Sequence, residues 1–477
     1  MSKLPNITIQ FAEWYQEALA QADLVDQSPT KGCFILRPYG YAIWENIRDV
    51  LDKKIKETGA QNAYFPLLIP ESFLTKEQKH IEGFAPEVAV VTHAGGKKLE
   101  EPFVIRPTSE TIMYDAFARW IKSWRDLPLK INQWANVVRW EMRTRPFLRT
   151  IEFLWQEGHT AHATYQEAQD TALQMLYNYR DLAHNYLAIP VTIGEKTASE
   201  RFPGADITYT FEGLMQDGKA LQMGTSHLLS QSFPASFGVS FQDKDGQVKA
   251  PYCTSWGATT RLIGAMIMMH GDENGIIVAP RIAPIQCVII PIFKTPEEQA
   301  IVVAQAKNIE QLLIAQGIKA LVDEDTQKTP GAKFFHWEAK GVPVRMELGP
   351  RDVNAEQVVL VNRIEQDKAK KKKTIALVDV ILETKNMLDS IHNDLYARAE
   401  AKRASMWHKV DKLVDFGSQL QQKNGMYQAG WCSSAACEEQ LKQYQGAVRC
   451  VLKDQVAKSC FACDKPSLAD VLIAKCY

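Results

Sequence analysis

RWEMRTRPFLRTIEFLWQEGH, residues 139–159, is the stretch that most constrains the fold. It interleaves arginines and glutamates with aromatic rings, and Pro146 stands near its middle. Because proline interrupts a strand pattern, the stretch is predicted to be two strands joined by a loop. Taken alone, such a hairpin could be a surface for nucleic acid, a salt-bridged structural element, or the wall of a pocket for a small anionic ligand.

The alternation of side chains along a strand divides this hairpin into two faces. The predicted ligand face carries Arg139, Glu141, Phe153, Trp155, Glu157 and His159. The predicted packing face carries Val138, Trp140, Met142 and Leu154. On the ligand face, a guanidinium that matches phosphate or carboxylate geometry stands beside carboxylates and an aromatic plate. An ion-paired sheet without a ligand fits the same residues.

The composition is that of an ordinary globular protein. The chain has 477 residues, 46% hydrophobic and 23% charged, with a formal net charge of −1. Any nucleic-acid surface must therefore be local. No apolar run reaches the roughly 18 residues that a membrane span needs, and the N-terminus lacks an apolar signal core. The chain is expected to be cytoplasmic and not membrane-bound.

The chain divides into three predicted blocks: residues 1–284, 285–383 and 384–477. The first block mixes strands with two amphipathic helices, one after RPTSE that Pro128 ends and one over about residues 165–187. The second alternates strands and helices, as a compact α/β domain does. Its lysine run, residues 368–373, is predicted to be a hairpin tip or loop. The third opens with a helical pattern that runs through RAEAKRASMWHKVDKLVDF.

Cysteines are concentrated in the tail. Six of the nine lie in the last 46 residues, and four form the pattern C-x4-C…C-x2-C: Cys432, Cys437, Cys460 and Cys463. Two close pairs in such a chain favour a tetrahedral four-thiolate zinc site, which would be structural because no ligand position stays open. Two disulfides or a redox pair are the alternatives, and both suit a cytoplasmic compartment less well.

Two other segments of the first block favour a ligand site. RPTSE places Thr108 and Glu110 just before a helix, where they could hold an ammonium group. WGATTRLIG places Arg261 at the start of a helical run. A cation there opposes the helix dipole, so an anionic ligand or a salt bridge must account for it.

Together these motifs closely resemble the prolyl-tRNA synthetases of the archaeal/eukaryotic-like type, a family of class II aminoacyl-tRNA synthetases. The resemblance runs from about residue 10 to Tyr477 and rests on RPTSET, NQWANVVRWE, FLWQEGH, QMGTSH, WGATTR, HGD and GVPVRMELGPRD. It implies an α+β catalytic core with a mostly antiparallel sheet, an α/β anticodon-binding domain and a small α+β zinc domain. It also implies an enzyme that activates proline with ATP and transfers the prolyl group to the 3′-terminal ribose of tRNA(Pro).

The resemblance assigns a role to each motif residue. The residues implied for proline are Thr108, Glu110, Arg139, Trp155, Glu157, His159 and His227. Those implied for ATP are Arg139, Glu141, Arg149, Thr150, Phe153, Gln222, Thr225, Thr259 and Arg261, with Arg139 and Arg261 catalytic. Those implied for the anticodon are Lys333, Glu338, Arg345 and Asp352. Mg²⁺ is expected to bind mainly the phosphates of ATP.

Further features follow from the resemblance. QNAYFPLLIP resembles motif 1, with Pro66 at a homodimer interface. The family usually has arginine where this chain has Ile151, and we expect the change to alter loop support or tRNA contact. Only about 90 residues separate motifs 2 and 3, which is too few for an inserted editing domain. Tyr477 matches a C-terminal tyrosine whose carboxylate is expected to point back toward the active site.

Two other functions are compatible with parts of the pattern. A class II synthetase for another small amino acid, such as threonine or glycine, would share the core motifs, and Cys253 with nearby histidines could hold a metal as in the threonyl enzymes. A synthetase-like protein that binds RNA without charging tRNA would share the fold. The presence of Arg139, Glu141 and Arg261 argues against the second.

Overall fold

The computed structural model describes residues 3–73 and 88–477. Its helices are α1 Phe11–Gln21, α2 Pro38–Glu57, α3 Glu110–Trp120, α4 Tyr165–Asn185, α5 Ser232–Ser236, α6 Arg261–His270, α7 Pro296–Ala315, α8 Pro330–Ala339, α9 Pro350–Asn354, α10 Lys368–Lys371, α11 Val380–Ser405, α12 Leu413–Gln422 and α13 Ala435–Glu439. Its strands are β1 Val25–Gln27, β2 Phe34–Leu36, β3 Gln61–Asn62, β4 Leu68–Pro70, β5 Ala89–Ala94, β6 Lys97–Ile105, β7 Leu129–Val138, β8 Glu152–His162, β9 Val191–Glu195, β10 Ala205–Leu214, β11 Ala220–Leu229, β12 Phe241–Gln242, β13 Val248–Lys249, β14 Tyr252–Thr259, β15 Cys287–Pro291, β16 Ala320–Val322, β17 Val344–Leu348, β18 Gln357–Asn362, β19 Lys372–Ala376, β20 Trp407–Lys409, β21 Met426–Trp431, β22 Ala447–Val451 and β23 Ala469–Ala474. Among these helices, none combines the length and apolarity that crossing a membrane requires.

The opening stretch forms the predicted pair of strands. β7 and β8 pair antiparallel from Leu129↔Ala161 to Val138↔Glu152, and residues 139–151 join them. One part of the prediction is wrong: β7 ends at Val138, so Arg139 and Glu141 lie in the loop. Trp140 and Met142 also lie there and are 51% and 84% exposed, instead of packing as predicted. The alternation of residue types continues in the sequence beyond Val138, although the backbone no longer pairs with β8 there.

The central sheet is long and mostly antiparallel, as predicted. In the described part of the chain its strand order is β20-β21-β23-β22-β9-β10-β11-β14-β8-β7-β3. Only β3–β7 and β20–β21 pair in parallel. The C-terminal block therefore extends the sheet of the first block, through a pair between Val451 of β22 and Glu195 of β9.

Buried residues on the back of β8 attach this sheet to α4. Tyr179 of α4 donates a hydrogen bond to Gln156 Oε1 at 2.6 Å. Gly158 faces the Trp256 ring of β14, and a Cβ at Gly158 would come within 2.0 Å of it. A glycine is therefore required in FLWQEGH.

The helix over residues 165–185 agrees with the prediction, and Thr164 and Glu167 form a capping box at its start.

The helix after RPTSE is shorter than predicted. It ends at Trp120 and does not continue to Pro128, and Trp124 lies in a separate 3₁₀ turn over Trp124–Asp126. Ser123 caps that turn with its side chain. A local cap has ended the helical pattern well before Pro128.

Residues 163–251, which are all described, connect β8 to β14. They contain α4, β9, β10, β11, α5 and the β12–β13 ribbon, which belong to the core or lie against it. As predicted, no further domain is inserted between the two motif segments.

The second block is an α/β unit, as predicted. Its sheet has the order β16-β15-β17-β18-β19, with parallel pairs around β15 and antiparallel pairs beyond β17. Thr295 caps α7 and Pro296 occupies its first position. The lysine run lies between β18 and β19, as expected of a hairpin connection, but it contains one helical turn, α10, and the start of β19.

The third block departs from its prediction at one point. α11 ends at Ser405, and Trp407–Lys409 then forms strand β20. β20 pairs with β21, so partners distant in sequence have overridden a locally helical pattern.

Candidate active site

One cavity, of about 510 Å³, opens on the front of the central sheet. Its lining includes all fifteen candidate residues of the first block: Thr108, Glu110, Arg139, Glu141, Arg149, Thr150, Phe153, Trp155, Glu157, His159, Gln222, Thr225, His227, Thr259 and Arg261. They come from β8, β11, β14, the loop before α3 and its first residue Glu110, the 139–151 loop and the first turn of α6. The fold thus brings together motifs that are far apart in sequence.

Glu157 lies at the centre of the inner end and is fully hydrogen-bonded. Its Oε2 accepts from Thr108 Oγ1 at 3.2 Å and from the Ser109 backbone N–H at 3.1 Å, and its Oε1 accepts from Gln133 Nε2 at 3.0 Å. Burial alone would raise the pKa of Glu157, but hydrogen bonds from His159 and Ser109 leave it below its ordinary value. The inner end therefore holds a carboxylate that is ionised at neutral pH.

A second carboxylate lies close by. His159 stands between the two, with Nε2 3.4 Å from Glu157 Oε2 and Nδ1 3.7 Å from Glu110 Oε1. Both glutamates are 2% exposed. Two buried carboxylates sharing one imidazole form a site that suits a cationic ligand group.

His227 completes the inner end as a neutral ring. Its Nδ1 lies 2.9 Å from Thr208 Oγ1 and its Nε2 2.9 Å from Thr225 Oγ1. Burial, together with the nearby His159, lowers the pKa of His227 to about 3. The Phe202 ring lies 4.6 Å from the imidazole and gives this side of the cavity an apolar surface.

Arg139 lies near residues of both ends, because it contacts the loop that carries Thr108 and is one of the cations near Arg261. Although it follows the end of β7, its Nε donates to the Pro107 carbonyl at 2.9 Å. Its guanidinium carbon lies 5.7 Å from the Phe153 ring centre and 5.2 Å from that of Trp155. These contacts keep the cation on the predicted ligand face.

Arg261 marks the outer end. It is the first residue of α6, as predicted, and it donates to the carbonyls of Leu148 at 3.2 Å and Gln222 at 3.0 Å. Burial and the neighbouring cations Arg149 and Arg139 lower the pKa of Arg261 to about 10. Arg261 is thus a cation held among cations, as expected for a site that binds a polyanion.

The 139–151 loop is fixed at both ends. The Arg139 N–H donates to the Ile151 carbonyl at 2.8 Å, and Arg149 Nε lies 3.4 Å from Glu141 Oε2. Ile151 is buried, and its N–H donates to the carbonyl of Gly32 at 3.0 Å. Ile151 therefore supports the loop from beneath and is not among the residues that line the cavity.

The candidate residues of the second block lie mostly within ion pairs. Lys333 is buried, with Nζ 2.7 Å from the Asp323 carbonyl and 3.1 Å from its carboxylate. Glu338 pairs with Lys371, and Arg345 pairs with Glu347. Asp352 accepts the Gly349 N–H at the start of α9. Glu338 and Arg345 line one small cavity together with Lys371.

The four tail cysteines meet, as their spacing predicted. Their sulfurs all lie within 4.8 Å of one another, and Cys432 Sγ is 3.7 Å from Cys437 Sγ and 3.6 Å from Cys463 Sγ. A tetrahedral ion with bonds of about 2.3 Å requires sulfur–sulfur edges of about 3.8 Å, so the arrangement fits zinc. All nine cysteines are described, and none forms a disulfide. Burial would raise the pKa of Cys460, but hydrogen bonds from backbone N–H groups such as that of Ala462 lower it to about 7.

Several lining or supporting residues were not singled out from the sequence. Gln133 and Ser109 hold Glu157, whereas Thr208 and Phe202 hold His227. Gln133 has the same strand parity as Arg139, so extending the alternation back along β7 would have identified it. Phe202 precedes β10 in an irregular segment, where no periodic signal exists.

Known protein families match three successive segments of the chain. The class II tRNA synthetase core domain of the G, H, P, S and T enzymes matches residues 92–270. An anticodon-binding domain matches residues 286–386, and the C-terminal domain of prolyl-tRNA synthetase matches residues 413–477.

Full-length relatives agree with these matches. The proline–tRNA ligase of Acetoanaerobium sticklandii is 47% identical over 477 residues, covering 99% of this chain and 98% of the relative. That of Amoebophilus asiaticus is 47% identical over 492 residues, covering 100% and 99%. The crystal structure of prolyl-tRNA synthetase from Cryptosporidium parvum, complexed with halofuginone and AMPPNP, superposes with a TM-score of 0.93 at 42% identity and covers 99% of each chain. The chain therefore belongs to the class II prolyl-tRNA synthetases, the enzymes that ligate proline to tRNA.

Proposed function

We propose that the inner end of the cavity binds proline and the outer end binds ATP, so that prolyl-adenylate forms beside Arg139. The observation that supports this most is the grouping of charges in one cavity. Glu110 and Glu157 lie on either side of His159, whereas Arg261 has Arg149 and Arg139 as neighbouring cations. Arg139 also donates to the carbonyl of Pro107, the residue before the Thr108 that contacts Glu157.

The inner end suits an amino acid that carries a secondary ammonium. Glu110 and Glu157 are buried anions for that cation, with Thr108 as a further acceptor, and Arg139 faces the site that the carboxylate would take. Trp155, His159 and the neutral His227 are the proposed walls around the ring.

The outer end suits a nucleoside triphosphate. We assign Phe153 to stacking on adenine, with Arg261 over its other face and reaching the γ-phosphate. Polar contacts to the nucleotide are assigned to Glu141, Arg149, Thr150, Gln222, Thr225 and Thr259. The solved structure of the Cryptosporidium parvum enzyme is a complex with AMPPNP, which supports nucleotide binding by this chain.

The chemistry then depends on alignment more than on proton transfer. The ionised proline carboxylate attacks the α-phosphorus of ATP, an anhydride bond to phosphorus forms, and pyrophosphate leaves. A terminal ribose hydroxyl of tRNA next attacks the prolyl carbonyl, and AMP leaves. Arg139 and Arg261 offset the developing negative charge in the first step.

Mg²⁺ is expected at the outer end. Glu141 is the proposed carboxylate nearest to the phosphates, and it lies 3.4 Å from Arg149, so the ion should be held chiefly by ATP oxygens and water. When bound, Mg²⁺ would supply further charge neutralisation on the phosphates.

The four tail cysteines are proposed to hold a structural zinc ion. Four thiolates at tetrahedral distances leave no open ligand position.

The proposed domain division is 1–284 for catalysis, 285–383 for the anticodon and 384–477 for zinc. α11 crosses the second boundary.

The tRNA anticodon is proposed to bind the second block. Arg345 is suited to bidentate contact with a base, and Glu338 is suited to accept from a base amino group. Lys333 and Asp352 are proposed beside them, although contact with a base would require Lys333 to exchange its bond to Asp323.

A cytoplasmic homodimer is proposed as the working form. Tyr64, Pro66 and Leu68 are exposed in the motif 1 segment, where a second copy could cover them. None of the nine cysteines forms a disulfide, and this suits a reducing compartment.

The experiment that tests the function is ATP–pyrophosphate exchange with each of proline, threonine, glycine and alanine, followed by charging of tRNA(Pro). We expect exchange to depend on proline and the charged tRNA to carry proline. Exchange that depends on threonine or glycine, or ATP binding without any exchange, would contradict the proposal.

A further inference from the structure

A short segment between β9 and β10 forms one wall of the proline end. We call residues 196–202 the wall segment. Lys196, Glu200 and Phe202 line the cavity. The Phe202 ring lies 4.6 Å from the His227 ring, and the Phe202 N–H donates at 3.0 Å to Thr208 Oγ1, the same hydroxyl that contacts His227 Nδ1. The position of the wall segment therefore sets the position of the His227 side of the cavity.

The outer side of the wall segment is attached to the cysteine cluster through one carboxylate. Thr197 Oγ1 donates to Glu438 Oε1 at 2.8 Å, and Ser199 Oγ donates to Glu438 Oε2 at 2.5 Å. Glu438 is 9% exposed and follows the cluster residue Cys437 directly in α13. Because each carboxylate oxygen accepts one hydroxyl, Glu438 fixes two points of the wall segment to the element that carries a metal ligand.

A second contact fixes the base of the same segment. Lys196 Nζ lies 2.9 Å from Glu212 Oε1, and Arg449 of β22 donates to Glu212 Oε2 at 3.0 Å. Glu212 is fully buried. The wall segment thus starts from a fixed point, and beyond it Glu438 holds Thr197 and Ser199. Movement of α13 would be transmitted to the cavity wall.

We propose that Glu438 is a positioning residue for proline, which couples the four-cysteine cluster to the wall segment. Metal in the cluster and proline in the cavity then favour each other's binding, because coupling between two sites is reciprocal. This inference rests on the proposed assignments of proline to the inner end and zinc to the cluster. A purely structural role would weaken the fold without distinguishing proline from ATP.

Steady-state ATP–pyrophosphate exchange tests the proposal first. Glu438→Ala should raise the KM for proline roughly tenfold, as expected from losing hydrogen bonds to a charged group, and leave the KM for ATP within about twofold. The matched control is Glu439→Ala, because Glu439 is the next residue of α13, has a 66% exposed side chain and contacts Lys442. Equal changes in both KM values, or no change in either, would overturn the proposal.

Ser199→Ala keeps the test decisive if Glu438→Ala does not fold. Ser199 is exposed and lies outside α13, so the change breaks one bond of the bridge without disturbing the cluster helix. We expect the same selective rise in the KM for proline, by about threefold. An unchanged KM for proline in Ser199→Ala would also overturn the proposal.

Release of zinc to a chromogenic chelator gives a readout that is independent of activity. In the wild-type enzyme and in Glu439→Ala, saturating proline with AMPPNP should slow zinc release severalfold. In Glu438→Ala and Ser199→Ala this protection should be lost, and full protection in both variants would refute the coupling. Absence of proline-dependent exchange or of zinc in the wild type would instead refute the proposed function.

Discussion

At the scale of single residues, the cavity is organised by where its charges are held. Glu157 is kept ionised by hydrogen bonds, and Arg261 is a part-buried cation with Arg149 and Arg139 nearby. Arg139 also contacts the loop that carries Thr108. A nucleophile that is already an anion needs little help from a base. It needs to be brought to the α-phosphorus without charge repulsion, and a guanidinium placed between the two substrates does this.

Arg139→Ala should therefore reduce kcat/KM for proline-dependent ATP–pyrophosphate exchange by about a hundred- to a thousandfold, the usual scale for removing a preorganised group of the transition state. The loss should appear in kcat as well as in KM. Arg180→Ala is the control, since Arg180 is exposed on α4 and stacks on Tyr177 away from the cavity. Thermal unfolding of both variants should match the wild type. Near-normal exchange in Arg139→Ala would refute the role of Arg139.

The period-two alternation of side chains identified most of the residues on the ligand face, but it could not show where strand β7 ends. Phe153, Trp155, Glu157 and His159 lie within β8 and line the cavity, as period two predicts. Trp140 and Met142 follow the same parity argument yet are exposed, because β7 has already ended. Arg139 reaches the cavity through its own contact with Pro107, which no pattern in the sequence encodes.

At the scale of elements, the 139–151 loop is held in place by packing and hydrogen bonds, although its many arginines are typical of an exposed loop. Phe147 and Leu148 are buried, and the Tyr15 hydroxyl donates to the Pro146 carbonyl at 2.9 Å. Ile151 packs against Gly32, where an added Cβ would lie 2.7 Å from its Cδ1. An arginine at position 151 would have to leave this apolar contact, so the isoleucine suits a loop supported from below.

The tail elements depend on the cysteine cluster. Cys460→Ser should abolish stoichiometric zinc binding, measured by metal analysis, and lower the melting temperature of the protein, because three thiolates and a hydroxyl bind zinc more weakly. Cys476→Ser is the control, since Cys476 is exposed and lies outside the cluster. Wild-type protein purified without zinc, or Cys460→Ser with full zinc content, would contradict the prediction.

Elements with explicit end signals were the most predictable. Thr164 with Glu167 and Thr295 with Pro296 mark the starts of α4 and α7, and both helices begin there. The end of α11 carries no such signal, because MWHK continues the helical pattern locally. Its conversion to β20 depends on pairing with β21, which lies about twenty residues further along the chain.

At the scale of the whole molecule, one continuous sheet runs from the catalytic core into the C-terminal block. β22 joins the C-terminal block to β9, and Arg449 of β22 donates to Glu212 of β10. A linear division into three blocks could not anticipate this, because the sequence does not encode which edges of two sheets meet. The strands that flank the wall segment therefore belong to the same sheet as the C-terminal block, whereas the second block has a sheet of its own.

The last prediction concerns the proposed homodimer. Segment 64–68 carries the exposed Tyr64 and Leu68, and on its inner side Arg106 donates to the Phe65 carbonyl at 2.6 Å. Arg106 precedes the Thr108 loop, so a partner covering this segment would also support the proline end. Leu68→Asp should shift sedimentation from about twice the 53.8 kDa chain mass to the monomer and reduce exchange activity at dilute protein.

Val378→Asp is the matched control, because Val378 is 86% exposed in the second block, away from segment 64–68. It should sediment as the wild type does. If oligomerisation supports the site as argued, raising the concentration of Leu68→Asp should restore dimer and activity together, since mass action links them. A monomeric wild type with full activity, or a dimeric Leu68→Asp, would show that this face does not join two copies.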